Sequence, residues 1–124
     1  MTWTPTKQQL EDAARAGGRK HKVFNGVSRS VLCVQDSDGY NWDTYVPHLP
    51  TTQGKADLLD LMLELDVSFS RNGRYIDIEA DVFIDTKDIK DASVLITNND
   101  KHAALARAVI EVAAQVGAKM RGEV

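Results

Sequence analysis

The chain predicts an α+β fold: a small single domain of antiparallel β-hairpins packed against a buried short helix and a long C-terminal helix. Three observations carry this reading. Asn72-Gly73 sits between two runs of alternating polarity, and this dipeptide tolerates the positive φ that a tight hairpin needs. Leucines crowd residues 58–65 just before that hairpin, and residues 101–120 repeat apolar side chains at helical spacing. At 124 residues and 43% apolar, the chain suits one core and is too short for two domains of ordinary size. The expected plan is a helix in 1–18, a β-meander in 19–46, a helix in 52–66, a hairpin sheet in 67–96 and a helix in 99–121.

Thr6 and Gln9 have capping-box spacing, which starts a helix that runs to about Ala16, where Gly17-Gly18 ends it by supplying left-handed backbone. Asn25-Gly26 predicts a turn between strands at Val23-Phe24 and Val27 to Gln35. Asp36 to Gly39 predicts another, returning Tyr40 to Trp42 against Val31 to Val34. Pro47 and Pro50 stiffen the next connection, and Thr52 is the expected cap of a helix from about Gly54 to Leu65. Leu58, Leu59, Leu61, Met62, Leu63 and Leu65 wrap most of its circumference, which predicts burial on more than one side. A two-residue turn at Asn72-Gly73 would set Phe69 opposite Ile76 and Val67 opposite Ile78. Their face continues through Ala80, Val82 and Ile84, with Tyr75, Asp77, Glu79, Asp81, Phe83 and Asp85 on the other side. Asn98, Asn99 and Asp100 supply cap chemistry for a helix over about Lys101 to Met120. In it Leu105, Val109, Val112, Val116 and Met120 form a stripe to cover the sheet, while Ala103, Ala106, Ile110, Ala113 and Gly117 form a face small enough for another backbone to approach. Arg107 and Glu111 are spaced as a favourable i,i+4 pair.

A net charge of −3 argues against a general nucleic-acid coat, which needs a basic footprint. Cys33 is the only cysteine and lies in the apolar run Val31 to Val34, so it reads as a buried structural thiol. No apolar run approaches the ~18 residues of a membrane span, and the first residues lack signal-peptide order, so a reducing cytoplasm is the expected compartment.

The acidic row Asp77, Glu79, Asp81 and Asp85 could offer oxygen ligands, but an exposed sheet face must be polar and no histidine stands near it. His21, His48 and His102 lack ligand spacing and read as surface or cap residues, so no metal and no cofactor are expected. The serines sit in no elbow motif, Cys33 has no evident base, and Gly17-Gly18-Arg19-Lys20 lacks Walker spacing. An enzyme is therefore not expected. Arg15, Arg19, Lys20 and Lys22 form a basic patch, against ten acids and four bases in residues 57–91, an asymmetry that favours a partner surface or self-association. Tyr40, Trp42 and Tyr45 are aromatic candidates for stacking on a ligand, or for anchoring the loop among Pro47 and Pro50.

The aspartate-rich turn, the tryptophan and prolines, Gly54-Lys55-Ala56-Asp57 with leucines after it, and Asn99-Asp100-Lys101-His102-Ala103-Ala104-Leu105-Ala106-Arg107 occur in an order similar to small phage accessory proteins of the NinX-like type. The similarity covers Tyr40 to Met120, about two thirds of the chain. It implies a dispensable phage or prophage product acting in the host cytoplasm, where such proteins blunt host defence or redirect a host factor. The leading expectation is a non-enzymatic, homo-oligomeric protein that sequesters a small nucleotide signal in pockets between subunits, with Trp42, Tyr45, Arg74, Asn98 and Arg107 as contacts. A second is an inhibitor of a host protein, acting through Asp77, Glu79 and Asp81 as a nucleic-acid mimic; a third is a structural phage protein with no ligand.

Overall fold

The first helix is held by the reciprocal cap its sequence encodes. Thr6 Oγ1 accepts from the Gln9 N–H at 3.1 Å, and Gln9 Oε1 accepts from the Thr6 N–H at 2.9 Å. The computed structural model describes residues 3–25, 30–35, 39–81, 89–96 and 100–122. Helix α1 spans Lys7–Ala16 and stops at Gly17; Gly18, at φ +70°, turns the chain into the first sheet. That sheet is an antiparallel meander of β1 (His21–Asn25), β2 (Ser30–Gln35) and β3 (Trp42–Thr44). β3 begins two residues later than the sequence suggests, at Trp42, and pairs Cys33 with Thr44 and Gln35 with Trp42. Tyr40 stays outside it.

Helix α2 (Thr52–Leu65) is capped by Thr51, whose Oγ1 accepts from the Gly54 N–H at 3.0 Å, rather than by Thr52. A Cβ at Gly54 would overlap the carbonyls of Val46 and Leu49, so glycine lets the loop fold back over the helix start. The leucines do not bury all round. Leu58, Leu61 and Leu65 are buried, while Leu59 is exposed and Leu63 is 71% exposed. The reason is that α1 and α3 cover only one side of this helix.

The second sheet is a meander of β4 (Val67–Asn72), β5 (Tyr75–Asp81) and β6 (Ile89–Leu95). Its turn is centred on Gly73-Arg74, with Gly73 at φ +63°, so Asn72 pairs with Tyr75. The expected register is therefore displaced by two residues. Phe69 faces Ile78, and Val67 faces Ala80. An even shift keeps every side chain on its expected face, which is why the alternating pattern alone could not distinguish the two registers. Val82, Phe83, Ile84 and Asp85 lie outside the described residues.

Helix α3 (Lys101–Met120) begins at Asp100, whose carboxylate accepts from the Ala103 N–H. One side of it lies over β5 and β6, where Ile76 and Val94 pair and are buried. β4 falls at the margin of this cover, so Phe69 remains 55% exposed. The other side holds α1. At their crossing, a Cβ on Gly117 would overlap the Asp12 carbonyl. The small-residue face, expected to let another backbone come close, thus receives the chain's own first helix. Leu32 and Val34 of β2, Ala13 and Ala14 of α1, Leu61 of α2 and Val109 of α3 all join one core.

The two ends of the chain are clasped by charge. Asp12 is 3% exposed, and its carboxylate accepts from Arg121 Nε at 2.8 Å and Arg121 Nη2 at 3.0 Å, with Arg15 Nη1 at 2.6 Å. Burial alone would raise its pKa, but the hydrogen bonds and charges of Arg121, Gln8 and Arg15 outweigh it and hold Asp12 below the usual carboxylate range.

Candidate ligand site

Alternation along the first sheet separates the aromatic residues that sequence grouped together. Val23 pairs with Leu32 and His21 with Val34, so these side chains share the inner face toward α1, while Lys22, Phe24, Val31, Cys33, Gln35, Trp42 and Thr44 share the outer face. Tyr45 follows the inner phase. It is 2% exposed and part of the core, and burial with the nearby Asp57 carboxylate pushes its hydroxyl pKa up. It anchors the loop and offers no ring to a ligand.

Trp42, in contrast, keeps 38% of its surface exposed and Phe24 keeps 40%. Their centroids are 6.0 Å apart with the planes at 68°, an edge-to-face pair across the sheet. Phe24 is thus the aromatic partner of Trp42 across the sheet. Lys22 Nζ stands 5.2 Å from the Phe24 centroid. Cys33, a free thiol, is buried on this face between Lys22 and Thr44 of the adjoining strands.

The ladder extends one step beyond β1, where the Gln35 N–H donates to the Lys20 carbonyl at 3.0 Å. Lys20, Gln35 and Trp42 therefore form a row across the outer face. Lys20 and Gln35 also line an open cleft of about 670 Å³ between the α1–β1 turn and α2, within the size range of small-molecule sites. Arg19 enters it from one side, with Nη2 donating to the Gln35 carbonyl at 3.0 Å and Nη1 lying 3.7 Å from Asp60 Oδ2. On the α2 wall, Asp57, Asp60 and Glu64 recur at helical spacing beside Leu63. Asp57 is 3% exposed, and its two oxygens accept from the Val46 N–H at 3.0 Å and Gln53 Nε2 at 3.2 Å. Burial raises its pKa despite these bonds.

The remaining expected contacts lie elsewhere. Arg74 is exposed in the β4–β5 turn. Arg107, on α3, donates to Glu111 at 3.0 Å and stands over the Trp3 ring at 5.4 Å, so it braces the N-terminal segment. Asn98 lies outside the described residues. Of the acidic row, Asp77 is half-buried and faces Ser70 and Ser93 in register, while the side chains of Glu79 and Asp81 are outside what is described. His21, His48 and His102 are each partly buried, and Nδ1 of His48 and Nε2 of His102 are buried with no hydrogen-bond partner; burial lowers the His48 pKa. No group of three or more metal-ligating side chains occurs among the described residues, and no described helix is long and apolar enough to cross a membrane.

Sequence reasoning singled out Trp42 but missed Gln35, Asp57, Asp60 and Glu64. The three acids were visible only as members of an acidic stretch, because nothing local says that α2 would face the α1–β1 turn. Comparison with models of known protein families, with curated proteins and with solved structures finds no match.

Proposed function

We propose that this chain is a non-catalytic binding protein for a small nucleotide, of the kind a phage would use to sequester a host signal. The observation that carries the proposal is the junction at Gln35. There Gln35, which lines the cleft holding Arg19 and Lys20, pairs in register with Trp42, whose ring keeps 38% of its surface exposed. Aromatic faces accept nucleobases irrespective of sequence, and stacking contributes about 1–3 kcal/mol per base. Arg19 and Lys20 supply charge for a phosphate, and the carboxylates of Asp60 and Glu64 can accept from sugar hydroxyls. The pocket is contained within one chain, so sequestration by this site needs no subunit interface.

The test begins with protein purified from a bacterium carrying active phage defences, denatured by heat, its released small molecules identified by mass spectrometry. A nucleotide recovered near one per chain supports the proposal. Trp42→Leu should then abolish retention while lowering the melting temperature by only about 2–6 °C, the loss of one edge-to-face pair with Phe24. Retention unchanged in that variant would refute the role given to the indole.

A protein partner is the second reading, favoured by the exposed Leu59 and Leu63 beside Asp60 and Glu64 on α2. An empty purified chain that captures a host protein, and releases it on substitution of Leu59 and Leu63 by serine, would favour this reading over the nucleotide; release on substitution of Asp77, Glu79 and Asp81 instead would move the contact to the acidic strand.

A further inference from the structure

The cleft places two cations close to three carboxylates at the C-terminal end of a helix, and this combination restricts how much negative charge it can receive. We infer that the site selects ligands of low charge, a nucleoside or nucleoside monophosphate, against the corresponding di- and triphosphates; this rests on the nucleotide reading above. Arg19 and Lys20 are matched by Asp60 and Glu64 before Asp57 is counted. Arg19 is already divided between the Gln35 carbonyl and Asp60, and Lys22, the next cation on the face, stands over Phe24. Lys20 alone has no described ion-pair or ring partner.

The backbone gives the same result. Gly17 and Gly18 line the cleft at the C-terminal end of α1, the negative end of the helix, opposite to the end that receives phosphates. The N–H groups of Gly17, Gly18 and Arg19 donate back to the carbonyls of Ala13, Arg15 and Ala14 at 2.9, 3.0 and 3.0 Å. None of the three is left to cradle a phosphate. Each phosphate beyond the first would therefore meet carboxylates rather than donors. Hydroxyl groups of a sugar face no such opposition, since they donate to Asp60 and Glu64. The 68° between Trp42 and Phe24 adds a second restriction: both rings cannot lie flat beneath one planar group, so the face takes a single stacked base.

Calorimetric titration of the full chain with adenosine, AMP, ADP and ATP, and with the guanosine series, in metal-free buffer at low salt, tests this. The triphosphates should bind at least ~10-fold more weakly than the monophosphates, a floor between the effect of one like-charge contact at ~4 Å in bulk water and the larger effect of the same contact near a protein surface. Replacing both acids, Asp60→Asn with Glu64→Gln, should shrink that ratio to within ~3-fold. Both side chains sit on an exposed helix face, so an unchanged circular-dichroism melt is expected and verifies folding. A triphosphate bound as tightly as its monophosphate, or a ratio untouched by the double substitution, would overturn the inference while leaving the nucleotide reading standing. No binding by any member of either series would overturn the nucleotide reading and the inference with it.

Discussion

Among the described residues, two carboxylates are almost completely buried, and they respond to burial in opposite ways. Asp12 has two arginines and Asp57 has only a backbone N–H and an amide. Cation pairing offsets the loss of water for Asp12; neutral donors do not for Asp57. The pH dependence of stability follows with opposite signs. Asp12, held below 3.8, stabilises the fold above that value, and its contribution is lost as pH falls through the lowered pKa. Asp57, raised above 3.8, contributes fully below that value and loses its contribution as pH rises through the raised pKa. Urea midpoints measured from about pH 3 to 7 should therefore show Asp57→Asn gaining on the native chain as pH rises, and Asp12→Asn falling behind it. Parallel curves for either variant would contradict the assignment. At neutral pH, Asp12→Ala removes the shared partner of Arg15 and Arg121 and should cost about 3 kcal/mol, toward the lower end for a broken buried pair because both guanidinium groups keep some contact with water.

At the scale of elements, the fold depends on how closely α1 approaches α3. In an isolated helix, Gly117→Ala would be favourable by about 1 kcal/mol from propensity alone. Here the added methyl meets the Asp12 carbonyl, which belongs to backbone and cannot rotate away. Overpacking should win, with a net loss of about 1–3 kcal/mol measured by chemical denaturation. A stabilised variant would mean that α1 is not seated at that crossing. Gly73, at φ +63° with open space around it, is a different case: alanine there clashes with nothing but is strained by the backbone, so Gly73→Ala should cost only about 1 kcal/mol. The two glycines separate a packing requirement from a conformational one.

For the whole molecule, the helices are the connectors. α1 touches the first sheet and α3, α3 lies over the second sheet, and α2 touches both other helices. Among the described residues each sheet has three strands, too few to hold a large core without a covering element. Unfolding should therefore be a single cooperative event. Tryptophan fluorescence, which reports Trp3 beside α3 and Trp42 on the first sheet, should lose signal at the same urea concentration as far-ultraviolet circular dichroism. Two separate midpoints would show that the first sheet melts away from a persisting α3 and second sheet.

Much of this architecture is legible in the residue order. Thr6 and Gln9 specify their own cap, Asp100 starts α3, Arg107 reaches Glu111, and period two separates the faces of each strand, because all these interactions lie within a few residues of chain. The class of the fold follows from them. What sequence left open involves distance. The β4–β5 register moved by two without changing any face; Tyr45 turned inward three residues from an exposed Trp42; the leucines of α2 divided into covered and uncovered; and the small face of α3 received α1. The candidate site belongs to this second group, since Arg19, Gln35, Trp42 and Asp60 come from four separate stretches and share no spacing. Local hydrogen bonding and side-chain period determined the elements; only the mutual exclusion of bulky groups in one core decided which faces met, and with them where a cleft remained open.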